Sequence, residues 1–381
     1  MKGEATFEAA LEAANLPGAV ALVTDSNDTR YLRAFGKADA LAGTQMREDT
    51  LFQIASMTKA LTSMAALQLV ERGQLDLDAP VGALLPELAE PQVLEGFDAE
   101  GKAILRPARA PVTLRHLLMH TAGCGYTFMN ADLLRHAIAS GRMIPGARST
   151  LDQPLLFEPG DKWEYSVGID WAGLAVEAVT GMTLGDWFLA ELTGPLGMDQ
   201  TRFRPEWPAD QAQIHVRDGN GGFTTQAMVL GGGEYHNGGG GLSSTASDYG
   251  RFLRMVLRGG ELDGVRVLSP ETMRIACTDA LPAHLSAGEM TTAMPNFASA
   301  FDPLPGQRGG WTVGGFLVNT ETGPAGRSPG SLHWAGIFNS YYWIDPARDV
   351  AGVFLSQIAP FADPGALSAF AALEAMACEN A

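Results

Sequence analysis

A serine and a lysine three residues apart, Ser56 and Lys59, are the pair in this sequence best suited to covalent chemistry. In the stretch Leu51 to Gly73 a short apolar run ends at Ala55. Met57, Leu61, Met64, Leu67 and Leu69 then follow closer to a helical period than to a strand one. Ser56 is thereby predicted at a helix start, where free backbone N–H groups and the positive end of the helix dipole favour an alkoxide or a developing oxyanion. Lys59 projects from the same face one turn later and can reach the serine hydroxyl. In an enclosed, partly dry pocket such a lysine loses its proton near neutral pH and can accept the serine's. Ser-x-x-Lys is frequent by chance, and alone it reads more readily as a capping serine followed by a solvated lysine.

A second group comes from Glu158-Pro-Gly-Asp-Lys-Trp-Glu-Tyr-Ser-Val167, which presents Tyr165 in a loop just before a helix. A tyrosine near ammonium groups is expected to have a lowered pKa and could pass protons between the serine oxygen and a leaving group. Other patterns are weaker. His116 and His120 have ligand spacing on a helix, but no His-Glu-x-x-His accompanies them, so packing or hydrogen-bonding roles are expected and no metal. Gly326-Arg-Ser-Pro-Gly330 satisfies Gly-x-Ser-x-Gly. Pro329 follows its serine, however, and a strand rather than a helix comes next, so Ser328 reads as a turn residue. The glycines of Gly231–Gly233 and Gly238–Gly241 lack a following Gly-Lys-Ser or Gly-Lys-Thr and read as a tight backbone passage near the site. Tyr126, Phe128 and Phe316 are available to line an acyl pocket, although no spacing argument selects them.

The elements that must position these groups can be read in order. Residues 6–16 form an amphipathic pattern, and Gly18–Thr24 and Thr29–Gly36 form a hairpin around Asp25-Ser-Asn-Asp28. The serine helix closes at Arg72-Gly73, and residues 75–111 read as a Pro-rich, acidic surface connection. Thr113 caps a short helix ending at Gly123, helical segments dominate 131–205, and Thr245 caps another helix through Leu257. Residues 331–345 and 350–357 read as two strands around Pro346–Asp349, and 364–378 as a closing helix. An α+β fold follows: an antiparallel sheet with flanking helices built from residues 1–60 and 245–381, and a mainly helical unit inserted over 61–244. The site is expected in the cleft between the two units.

At 381 residues, 46% of them hydrophobic, the chain can fill two packed units. Its net charge of -17 disfavours nucleic acid and an anionic membrane surface. Three cysteines without metal-like spacing, and no leader-like or membrane-spanning apolar run, lead to an expectation of a cytoplasmic protein with reduced thiols. A small-molecule partner is expected, and a homo-oligomer is compatible with the sequence.

Taken together, Phe52–Lys59, Thr113–Gly123, Phe157–Ser166, Gly238–Tyr249 and His333–Gly336 occur in the order seen in serine β-lactamase-like hydrolases. The chain more narrowly resembles the family VIII carboxylesterases, which are similar in fold to class C β-lactamases and D-alanyl-D-alanine peptidases. The resemblance implies that Ser56 is the acylated nucleophile and that Lys59 and Tyr165 share base and acid duties, in an order left open. It implies an oxyanion hole made by the Ser56 and Ile337 backbone N–H groups. It also implies a cleft bounded by His333, Trp334, Ala335, Gly336, Ser166 and Val167. Trp334 stands where the lactamases carry a lysine, and Val167 where they commonly carry an asparagine. Both departures suit a neutral, apolar ester. The implied activity is hydrolysis of short- to medium-chain carboxylic esters without cofactor or metal, with weak cephalosporin hydrolysis as a side activity. Alternatives are a β-lactamase, a D-aminopeptidase or DD-peptidase, and an acyltransferase using the same trio. A catalytically silent ligand-binding homologue is the alternative of another class, and the presence of all three reactive groups counts against it.

Overall fold

Strands from the two ends of the chain meet in one antiparallel sheet. The computed structural model describes residues 1–381 except Pro145, Gly219 and Pro324. The N-terminal strands are β1 (Gly18–Thr24), β2 (Thr29–Asp39) and β3 (Thr44–Gln45). The C-terminal ones are β4 (Gly309–Trp311), β5 (Leu317–Asn319), β6 (Leu332–Gly336), β7 (Ser340–Asp345) and β8 (Val350–Ser356). The sheet runs β4-β5-β6-β7-β8-β1-β2-β3, with β1 and β8 joining the two ends through pairs such as Val20 with Leu355. β1 and β8 are buried along their whole length, as continuous Val, Ala and Leu runs require of central strands covered on both faces.

Helices α1 (Glu4–Ala14) and α9 (Pro364–Cys378) cover one face of the sheet, with Phe370 stacked on Tyr341 at 4.8 Å between ring centroids. The other face meets α7 (Ala246–Leu257), whose Tyr249 packs on Tyr342 at 5.2 Å. Between the two halves of the sheet in the chain come α7 and the helices α2 (Thr58–Glu71), α3 (Leu114–Leu118), α4 (Ala131–Ala139), α5 (Gly168–Thr180), α6 (Leu184–Glu191) and α8 (Pro270–Cys277). Every residue of α2 from Thr58 to Leu69 is buried, as is every residue of α5 from Gly168 to Val176. These two helices are apolar nearly all round because they run through the interior. Their few polar groups, Lys59 and Asp170 above all, are therefore enclosed.

Two local expectations are corrected. The run 331–345 is not one strand: it turns at Ile337-Phe338-Asn339, where Asn339 takes the left-handed conformation at φ 61. Asn339 Nδ2 fixes that turn by donating to the carbonyls of Ile358 (2.8 Å) and Pro360 (2.9 Å). The stretch 75–111 is also more than a connection. Gln92–Phe97 and Ala103–Pro107 pair as a hairpin, closed by Asp98, whose Oδ1 accepts the N–H groups of Glu100 and Lys102. Among the described residues no helix is long and apolar enough to cross a membrane.

Candidate active site

The serine turn is held by its neighbours on both sides. Phe52–Gln53 pairs with Leu242–Ser244, and the Ile54 N–H donates to Leu242 O at 3.0 Å. The Leu242 N–H donates in turn to Thr58 Oγ1 at 3.1 Å. Between these clamps Ala55 is forced to φ 46, a strained conformation for a residue with a Cβ, costing on the order of 1 kcal/mol. A single 3₁₀ turn, Ala55–Met57, then leads into α2. Ser56 thus sits in the first turn, where helical N–H groups have no intrahelical acceptor.

Lys59, fully buried, donates from Nζ to Ser56 Oγ (3.2 Å), Tyr126 Oη (2.8 Å) and Gly239 O (2.6 Å). Burial pushes its pKa below the ordinary lysine value, and the Asp170 carboxylate opposes that shift. Asp170 is itself pushed up by burial, and its Oδ1 accepts the Gly239 N–H at 3.1 Å. Gly239 therefore links the two groups through the N–H and C=O of one residue. A Cβ at this position would lie 2.1 Å from Asp170 Oδ2, so only glycine fits. The lysine is poised between charged and neutral because it has no full counter-charge in contact, only carbonyl and hydroxyl acceptors.

Tyr165 lies against this centre, its ring centroid 4.7 Å from Lys59 Nζ, and its phenol oxygen accepts Trp334 Nε1–H at 3.0 Å. Its pKa differs from the sequence expectation. Burial drives it upward, outweighing the hydrogen bonds from Ser56 and Trp334 that pull it down, so the group is a neutral phenol rather than a phenolate. The ring is packed by His120 at 4.8 Å and Trp334 at 4.9 Å. His120 is fully buried and held neutral by burial and by the Lys59 charge, with Nδ1 3.0 Å from Ser166 Oγ. His116 serves its own helix: Nδ1 accepts the Thr113 N–H at 3.3 Å in a capping box.

The cleft edge is β6. Its neighbour β5 pairs only with Leu332 and His333, which leaves Trp334–Gly336 as an open strand edge. Gly336 lets this edge press against the serine turn, since a Cβ there would meet Ile54 O at 2.5 Å. Ile337, at the corner after β6, is thereby brought beside Ser56. A cavity of about 230 Å³ opens here, lined by Ser56, Tyr165 and the whole run His333–Ile337. Phe128 lines it too, whereas Phe316 is in the core and Tyr126 contacts Lys59.

Two expected cleft residues are placed differently. Ser166 is fully buried and its hydroxyl is spent on His120 and on the Gly168 N–H (3.2 Å). Val167 is the residue preceding α5, and neither of the two is among the cavity's lining residues. Ser328 occupies a turn whose N–H donates to Asp345 Oδ2 at 2.8 Å, with a strand following, so the Gly-x-Ser-x-Gly segment has no nucleophile-elbow geometry. Sequence reasoning missed Asp170, Arg327 and Glu374, placed Gly239 near the site without its link to Lys59 and Asp170, and saw Tyr126 only as a pocket liner. Asp170 had left a signal, as the one carboxylate inside the otherwise apolar run Gly168–Val176.

A serine on a helix start, a buried lysine on its hydroxyl, a neutral tyrosine beside it and an open strand edge across the cleft define a serine acyl-transferring site. The chain belongs to the beta-lactamase family, whose model matches residues 4–377. Within that family it is 34% identical over 382 residues to a monacolin J acid methylbutanoyltransferase of Aspergillus terreus, an alignment covering 95% of this chain and 91% of the relative. It is 30% identical over 371 residues to a lovastatin esterase of Penicillium rubens, covering 92% and 91%. Among solved structures, the LovD6 mutant of simvastatin synthase from Aspergillus terreus matches with a TM-score of 0.84 and 31% identity, covering 98% of this chain and 95% of that one.

Proposed function

We propose that the chain is a serine acyltransferase that moves an acyl group from an activated ester through an acyl-enzyme on Ser56 to an alcohol, with water as the competing acceptor. The observation that carries the reading is the buried Lys59 Nζ 3.2 Å from Ser56 Oγ, in a helix-start geometry suited to a nucleophile. In its neutral form Lys59 takes the Ser56 proton as Oγ attacks the ester carbonyl. The resulting oxyanion is held by the Ser56 and Ile337 N–H groups, each such donor contributing about 3 kcal/mol to the transition state. Collapse breaks the carbonyl–leaving-group bond. The Tyr165 phenol gives its proton to the departing oxygen and is re-protonated from the Lys59 ammonium. The second half runs in reverse, with the acceptor alcohol losing its proton to the same pair.

Transfer to an alcohol, rather than the hydrolysis expected from the sequence, is supported by the transferase among the relatives and by a largely apolar cavity suited to holding an organic acceptor beside Ser56. Carboxylesterase activity is the second reading, supported by the esterase relative. The distinguishing experiment is turnover of p-nitrophenyl butyrate with and without a bulky secondary alcohol, with products separated. The reading requires butyrate ester to dominate over butyric acid when the alcohol is present. Exclusive acid formation at every alcohol concentration would assign a hydrolase instead.

A further inference from the structure

The cavity has a second polar centre that acyl transfer leaves unused. Arg327 enters it from the Gly326–Gly330 turn, His333 from β6 and Glu374 from α9, and all three line the cavity. They are only 4%, 6% and 4% exposed. Arg327 Nε lies 3.2 Å from Glu374 Oε1, but the two are not aligned as a hydrogen bond. Among the described residues, Arg327 Nε and Nη1, Glu374 Oε1 and His333 Nε2 are all buried without a hydrogen-bond partner. Their surroundings are apolar: Phe301, Phe361, Leu367 and Phe370 line the same space. Buried polar atoms are nearly always satisfied in folded proteins, and a guanidinium with unspent donors facing a cavity calls for an acceptor from outside the chain.

We propose that this centre recognises a neutral oxygen, a hydroxyl or carbonyl carried by the substrate at a distance from the reacting ester. Arg327 donates to that oxygen, and a hydroxyl hydrogen is taken by Glu374 or His333. The inference rests on the acyl-transfer reading of Ser56. A neutral group is specified because Arg327 already faces the Glu374 carboxyl, so a carboxylate would add an uncompensated buried charge. The distance follows from the strand. Gly336 packs on the serine turn, and His333 lies three residues earlier on β6, about 10 Å away along the strand. His333 also alternates to the sheet face opposite Trp334, toward α9. A substrate arm of at least that length, passing over the open strand edge at Trp334–Gly336, joins the two centres.

The test compares matched esters. On the acyl side, p-nitrophenyl ω-hydroxyoctanoate is set against p-nitrophenyl nonanoate. On the acceptor side, with p-nitrophenyl butyrate as donor, a long alkanediol is set against the alkanol of equal chain length. In the wild type the oxygen-bearing member is favoured in kcat/KM by about 10-fold on one of the two sides. The double variant Arg327→Met/Glu374→Met, which leaves no lone buried charge, brings that ratio to near one. If the double variant does not fold, Glu374→Gln serves in its place and must lower the ratio. A wild-type ratio near one on both sides, with p-nitrophenyl butyrate turned over normally, overturns the inference and leaves the acyl-transfer reading intact. A preference that survives in the folded variants also overturns it. Inert esters, with Ser56 unlabelled by a fluorophosphonate, would instead overturn the reading beneath it.

Discussion

Gly336→Ala tests how the cleft strand and the serine turn depend on each other. The added Cβ would stand 2.5 Å from Ile54 O, 3.2 Å from Ile54 C and 3.4 Å from the Ala55 Cβ. Real Cβ contacts do not fall below 3.0 Å, so β6 must withdraw by about 0.5 Å or more, and the clamped serine turn offers little room to yield. Ile337 moves with the strand, and its N–H leaves the position an oxyanion would occupy. Losing one such donor removes about 3 kcal/mol of transition-state stabilisation, so kcat should fall on the order of 100-fold. The assay is steady-state release of p-nitrophenol from p-nitrophenyl butyrate, run beside a thermal melt. KM should change little, because the ground-state carbonyl depends less on that donor than the transition state does. A folded Gly336→Ala enzyme with kcat within twofold of wild type would refute the proposed coupling between the strand edge and the oxyanion site.

Three further outcomes follow from the same geometry. Trp334→Phe removes the N–H that Tyr165 Oη accepts, a buried hydrogen bond of about 1 kcal/mol, and kcat for p-nitrophenyl butyrate should fall roughly fivefold; an unchanged kcat would count against the relay role of Tyr165. Asp170→Asn keeps an acceptor for the Gly239 N–H but removes the charge that raises the Lys59 pKa. The acid limb of the kcat/KM pH profile should therefore move to lower pH, and an upward or absent shift would contradict the assignment of Lys59 as base. Glu158 accepts from Arg106, from the Arg109 N–H and from the Arg109 side chain, which lower its pKa from 4.5 to about 2. A carboxylate with a depressed folded-state pKa stabilises the fold above the unfolded value and loses that contribution as pH falls toward the folded one. The wild-type melting temperature should therefore drop more between pH 4.5 and 2 than that of Glu158→Gln, and parallel curves would refute the linkage.

Much of this architecture could be read from residues with local consequences. Thr113, Thr245, Gly73 and Pro364 punctuate helices in the sequence and do so in the fold, because caps act over three or four residues. The split of 331–345 at Asn339 escaped notice because its turn signals, Gly336 and Asn339, sit inside an otherwise apolar, strand-like run. Its turn is held by carbonyls of Ile358 and Pro360, which adjacency along the chain cannot show. Ser56 and Lys59 stand out by type and spacing and Tyr165 by its loop position and the family resemblance, and the structure brings the three side chains together. The direction of the Tyr165 shift was missed, since how deeply a phenol is buried depends on His120, Trp311 and Trp334, residues remote from it in sequence. Arg327 escaped for a similar reason: inside a glycine- and proline-rich turn it reads as solvated, and only the packing of α9 encloses it.

Acyl transfer as proposed requires Ser56 to carry the acyl group. Quenching the enzyme during turnover of p-nitrophenyl butyrate and mapping the adduct by peptide mass spectrometry in wild type, Ser56→Ala and Ser328→Ala reads this out. One butyryl group is expected on the peptide containing Ser56 in wild type and in Ser328→Ala, and none in Ser56→Ala. A butyryl group on any other residue in Ser56→Ala, with turnover retained, would contradict it.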